Sequence, residues 1–198
     1  MSGLIDKQMV RATQSRAVDR VRELLDSGAS INHLHKDGFT PLMRAAYRGY
    51  SELVEFLLSR GADPNRTAAD GAGALFWASI KGHEAIVELL IAANADVNVA
   101  RHTDGRAKGK SDGYLPMNAA IANGHPGIAE RLFRAGASLD PRYLPRDILE
   151  FAERHQASWL LRLLKKSRRL TIRSYRRRAV AVAIGLTART MTKTMRQL

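Results

Sequence analysis

The sequence predicts an all-α solenoid: stacked helix-turn-helix units with β-turn fingers between them, followed by a basic C-terminal tail. Three observations carry that fold class. Landmark residues recur with a period of 33. Each period holds two short helical stretches with apolar stripes, closed by glycine or asparagine. No single unit can bury both of its helices alone, so copies must stack on one another.

Residues 4–36 read as the first, degraded unit. Met9 and Ala12 supply the first helix, and Val21, Leu24 and Leu25 the second. Arg20 and Glu23 stand where the next unit has Leu53 and Phe56. A terminal unit has no neighbour on one side and needs a polar outer face, so this stretch is an N-terminal cap.

Residues 37–69 form the most complete unit. Asp37-Gly38 is a turn dipeptide. Thr40 is placed to cap the following helix, with Pro41 at its first position, where a missing N–H does no harm. Leu42, Ala45 and Ala46 give an apolar face whose small residues admit a neighbouring helix, and Gly49 ends it. Leu53, Val54, Phe56, Leu57 and Leu58 form the stripe of the second helix, and Gly61 supplies its left-handed cap.

Residues 70–102 repeat the pattern. Asp70-Gly71, Leu75, Ala78 and Gly82-His83 fall on Asp37-Gly38, Leu42, Ala45 and Gly49-Tyr50. Ile86, Val87, Leu89, Leu90 and Ile91 fall on the second stripe. Asn94 replaces Gly61, and asparagine is the next residue best suited to the left-handed region. The fourth unit, residues 112–144, starts nine residues late, which places an insertion within residues 102–111. It resumes with Pro116, Met117, Ala120, Gly124-His125, Ile128, Leu132, Phe133 and Gly136-Ala137. Residues 145–165 read as the closing cap, with Leu149, Phe151 and Ala152 in one helix and Trp159, Leu160, Leu161, Leu163 and Leu164 in the next.

The period of 33, with Thr-Pro-Leu at 40–42, Ala-Ala at 45–46, Gly-His at 82–83 and Gly-Ala-Asp-x-Asn at 61–65, resembles the ankyrin repeat. The resemblance covers roughly residues 4–165. Met43, Phe76 and Asn118 stand where that family usually has histidine, and Gly73-Ala74 replaces Thr-Pro in the third unit. Losing that cap costs about 1 kcal/mol. Several buried leucine-sized side chains per unit, at about 1.5–3 kcal/mol each, outweigh it.

The resemblance implies non-catalytic binding of another protein through a continuous concave surface of turn tips and first-helix side chains. Mapped onto this sequence, that surface holds Lys36, Asp37, Phe39, Arg44, Tyr47 and Arg48 in the second unit. It holds Asp70, Trp77, Ile80 and Lys81 in the third, and Tyr114 and Asn123 in the fourth. Tyr, Trp, Phe and Arg are types enriched at interface hot spots. Phe39, Tyr47 and Tyr114 are expected to be exposed. Trp77 and Ile80 either face a partner or pack against a neighbouring helix. Arg106, Lys108 and Lys110 make the insertion a basic finger beside this surface, favouring an acidic edge on the partner.

The net charge of +13 is unevenly spread. Residues 165–198 contain eleven of the 32 Lys/Arg and no acid, which leaves 21 basic against 19 acidic residues before them. The tail, 166–198, forms a moderate amphipathic pattern as a helix, with Val180, Ile184, Met191 and Met195 on one side. Arg178, Arg189, Lys193 and Arg196 lie opposite, and Arg173, Arg176 and Arg177 lie just before. These basic residues support an alternative reading, an adaptor localised to an anionic membrane surface or to nucleic acid by its tail.

Other chemistry is not expected. Gly105 and Gly109 are separated by three residues where a phosphate-binding loop needs four, and the context is an inter-repeat turn. His33 and His35 lack a third ligand for zinc. His83 and His125 sit at the Gly-His positions, where the resemblance implies packing and hydrogen bonding. No nucleophile, base and orienting group can be assembled, so neither an enzyme nor a cofactor nor a small-molecule substrate is expected. Asn65-Arg66-Thr67 is a glycosylation sequon, read as chance. There is no cysteine, no apolar run long enough to cross a membrane, and no secretory pattern in residues 1–7. A monomer is expected, cytoplasmic, or nuclear in a eukaryote.

Overall fold

A computed structural model describes residues 2–102, 114–139 and 148–161. The chain divides into two compact units, residues 1–144 and 145–198. In the first, helices come in pairs: α1 (Ser2–Gln14) with α2 (Val18–Asp26), α3 (Pro41–Arg48) with α4 (Ser51–Ser59), α5 (Ala74–Lys81) with α6 (Glu84–Ala92), and α7 (Pro116–Ala122) with α8 (Pro126–Arg134). In the second, α9 (Ile148–Arg154) is followed by helical residues 158–161. Among the described residues there is no strand, only two isolated bridges.

Local chemistry sets the ends of α3. The Thr40 hydroxyl accepts the Met43 N–H at 3.2 Å, Pro41 occupies the first turn, and Gly49 at φ 80° closes α3. Helix α5 starts at Gly73 with no side-chain cap, as the missing threonine implied. Asn94, at φ 61°, takes the left-handed position that Gly61 takes after α4. In place of the Gly49-type stop, α1 is followed by Arg16 at φ 56°.

Packing then builds two layers. The first helices α1, α3, α5 and α7 contact in sequence, and the second helices α2, α4, α6 and α8 do the same alongside. Leu53, Val54, Leu57, Ile86, Val87, Leu90, Ile128 and Leu132 are buried between them, whereas Phe56, Leu58, Leu89 and Ile91 lie at the rim. Met43, Phe76 and Asn118 are also buried, so the departures from the expected histidine fill the core. Met9, Ala12, Val21 and Leu24 are buried in the first pair. Arg20 and Glu23 are exposed and paired with each other at 2.6 Å.

Two ladders tie unit to unit. Asn32 Oδ1 accepts the Asp63 N–H at 2.8 Å, Asn65 Oδ1 that of Asp96 at 2.6 Å, and Asn98 Oδ1 that of Ser138 at 2.7 Å. Tyr50 donates its hydroxyl to the Gln14 carbonyl at 3.2 Å. One unit on, the His83 and His125 Nε2–H groups donate to the Tyr47 and Ile80 carbonyls, each at 3.3 Å. The carbonyl partner fixes the tautomer, since that nitrogen must carry the proton.

The insertion interrupts neither ladder. His35 pairs with Phe39 and Ala68 with Ala72 across their turns, and Arg101 pairs with Tyr114 through two backbone hydrogen bonds, at 3.1 and 2.8 Å. The same two turn positions thus close over nine extra residues. Arg106, Lys108 and Lys110 within that finger lie outside the described residues. So do residues 162–165 of the expected closing cap and the whole tail, including Arg173, Arg176, Arg177, Arg178, Arg189, Lys193 and Arg196. In the described part of that cap, Ile148, Ala152, Ala157, Trp159 and Leu160 are buried.

Candidate binding surface

The surface of the first-helix layer carries the aromatic residues of three successive units. Phe39 comes from the second turn, Tyr47 from the end of α3, Phe76 and Trp77 from α5, and Tyr114 from the end of the finger. They join into one cluster. Phe39 stacks on Trp77 with 5.3 Å between ring centroids, and Tyr47 meets them edge-on at 6.1 and 5.5 Å. Phe76 meets Trp77 at 5.6 Å and Tyr114 at 5.9 Å, both edge-on. Such pairs contribute about 0.5–1.5 kcal/mol each beyond area burial. Beneath them Ala72, Phe76 and Ala119 are buried, with Trp77, Ile80 and Tyr114 packed against this floor.

Cations lie over the rings. The Arg44 guanidinium is 5.4 Å from the Phe39 centroid, and Lys81 Nζ is 4.6 Å from that of Tyr47. Arg101 lies 5.6 Å from Phe76 and 5.4 Å from Trp77. The two turn carboxylates are committed inward. Asp37 accepts the Phe39 N–H at 3.2 Å and pairs with Arg44. Asp70 accepts the Ala72 N–H at 3.0 Å and pairs with Arg101 at 2.7 Å. Each aspartate therefore closes its own turn and neutralises one guanidinium.

These environments shift two acidities. Burial pushes the Asp37 carboxyl up, but the Arg44 and Phe39 hydrogen bonds and the charges of Arg44 and His35 outweigh it, and the pKa falls below its ordinary value. Burial alone raises the Tyr114 phenol.

The residues expected at the surface differ in their exposure. Lys36, Arg48, Lys81 and Asn123 are exposed. Phe39, Tyr47, Tyr114, Trp77 and Ile80 are half-buried, so the three rings expected to stand free pack on their neighbours instead. Arg44 requires correction: it is 8% exposed. Its column lies beneath the turn of its own unit, where Asp37 and Phe39 cover it. Asp37 and Asp70 keep some exposure, with side chains 47% and 30% accessible, but their oxygens already hold turn N–H groups and arginines.

Arg101 was not singled out by sequence. It precedes a run of equivalent-looking bases, and only the return of the chain at Tyr114 shows that it stands over Trp77. Among the described residues no cluster of three His, Cys, Asp or Glu could hold a metal ion, and no helix is long and apolar enough to cross a membrane.

A family model described as ankyrin repeats (3 copies) matches residues 9–101 and 68–143. No curated protein matches the sequence.

Proposed function

Because the chain belongs to the ankyrin-repeat family, whose repeats are generally protein–protein interaction modules and typically non-catalytic, we propose that it binds another protein through its first-helix surface. The observation that carries this reading is the joined cluster of Phe39, Tyr47, Trp77 and Tyr114, half-buried and bordered by exposed Arg48 and Lys81. Its rings are held by one another before any partner arrives. Little side-chain entropy is then lost on docking, where each immobilised rotamer-rich side chain otherwise costs about 0.5–1.5 kcal/mol. The apolar centre with charged margins supports the same use.

Affinity capture with the full chain beside a Tyr47→Ala/Arg48→Ala variant tests the reading. Both side chains lie at the end of α3, away from the buried stripe of α4. Truncating a hot spot costs about 2 kcal/mol or more, so recovery of a specific partner is expected to fall by about thirtyfold. Equal recovery by a variant that melts at the wild-type temperature would place binding elsewhere.

A further inference from the structure

The helices of the two complete repeats, α3 to α6, segregate charge by layer. In the first-helix layer α3 and α5 carry Arg44, Arg48 and Lys81 and no acid. In the second-helix layer α4 and α6 carry Glu52, Glu55, Glu84 and Glu88 and no base. On the aromatic surface Asp37 and Asp70 are taken by Arg44 and Arg101, and among the described residues no ion pair engages Lys36, Arg48 or Lys81. The surface therefore offers cations around an apolar centre and keeps its own carboxylates occupied.

Resting on the protein-binding reading above, we infer that the partner segment is acidic: a peptide whose carboxylates meet Arg48 and Lys81 while an apolar side chain rests on the Tyr47–Trp77 cluster. Lys81 sits over the Tyr47 ring, which holds the ammonium in place without removing its charge. A carboxylate arriving there meets a fixed cation, and charge complementarity of this kind sets specificity and encounter rate. Nucleic acid fits the surface less well. Base recognition of this type needs open ring faces for stacking. Here Phe39 and Trp77 stack on each other, Tyr47 and Trp77 meet in a T-shaped contact, and Lys81 and Arg101 lie over the rings of Tyr47 and Trp77.

Trp77 reports occupancy directly. The sequence has two tryptophans, so Trp159→Phe leaves Trp77 as the sole indole of the full chain. The probes are a short peptide of repeated Glu-Glu-Leu units, its Gln-Gln-Leu counterpart and a uridine oligonucleotide. The acidic peptide is expected to shift Trp77 emission saturably and to bind at least about tenfold more weakly to Arg48→Glu/Lys81→Glu. An equal charge change on the second-helix layer, Arg22→Glu/Arg134→Glu, is expected to move its affinity less than about twofold. Equal affinity for the Gln-Gln-Leu peptide would overturn the acidic class. Equal weakening by both double reversals would reduce the effect to overall charge and overturn it too. So would tighter binding of the oligonucleotide at Trp77, or a Trp77 shift on dilution alone, which would mark a second copy as the occupant. A Trp77 signal indifferent to the acidic peptide overturns it as well. The wider protein-binding reading fails separately, if capture is unaffected by Tyr47→Ala/Arg48→Ala.

Discussion

Replacing Gly49 with alanine separates the backbone cost of a helix stop from the cost of disturbing the contact between units. Gly49 has φ 80°, and a Cβ built on it would lie 2.6 Å from the His83 ring of the next unit. Gly61 has φ 85° and nothing within 4 Å of the same added atom. Gly61→Ala therefore carries only the left-handed penalty, about 1 kcal/mol. Gly49→Ala carries that penalty and must also push the imidazole away. Displacing the ring forfeits its hydrogen bond to the Tyr47 carbonyl, about 1 kcal/mol, and disturbs its packing by about 1 kcal/mol more. The expected losses are about 1 kcal/mol for Gly61→Ala and about 3 kcal/mol for Gly49→Ala. In urea, with a slope of about 2 kcal/mol/M, the two midpoints should differ by about 1 M. Trp77 fluorescence in a Trp159→Phe background is a suitable probe, since Trp77 lies in the unit that holds His83. In a His83→Ala background the excess loss at Gly49 should disappear. Equal losses at both glycines, or an excess that survives removal of His83, would refute the inter-unit wedge.

Further predictions concern other contacts. Asn65→Ala removes the acceptor of the Asp96 N–H and the donor to the Asn94 carbonyl, at 2.6 and 3.1 Å; it should destabilise by about 1–2 kcal/mol in thermal melts and speed amide exchange at Asp96. Leu57→Ala, at a fully buried position, should cost about 2–5 kcal/mol by urea titration, and Leu58→Ala at the rim distinctly less. The folded-state pKa of Asp37 is depressed, so its stabilisation is present above the unfolded value and lost as pH falls through the folded one. The stability difference between wild type and Asp37→Asn should therefore be full at neutral pH and shrink progressively as pH falls below about 4, by denaturation at a series of pH values.

The units and their stops were legible because they depend on local chemistry. Thr40, Pro41, Gly49 and Gly61 act within a turn of their own positions, and the Leu53–Leu57 spacing marks a helix face directly. The recognition surface was less legible because it is made across units. Phe39 stacks on Trp77, 38 residues away and at a different position of the repeat. Arg44, Trp77 and Ala119 share one repeat position. The period shows that they are equivalent but not that the position lies half under the turn, and that fact buries Arg44 and draws Trp77 into the cluster. The asparagine ladder follows the same rule. Asn65 was visible as a landmark, whereas its reach into the next unit, and that of Asn98, needed coordinates.

Site-specific photocross-linking compares the two layers most directly. A photoreactive phenylalanine analogue is placed at Tyr47 in one full-length chain and at Glu55, exposed on α4, in another. Covalent adducts to a partner polypeptide are expected from position 47, suppressed by Arg48→Glu/Lys81→Glu, and none from position 55. Adducts from position 55 with none from position 47 would contradict binding through the first-helix surface.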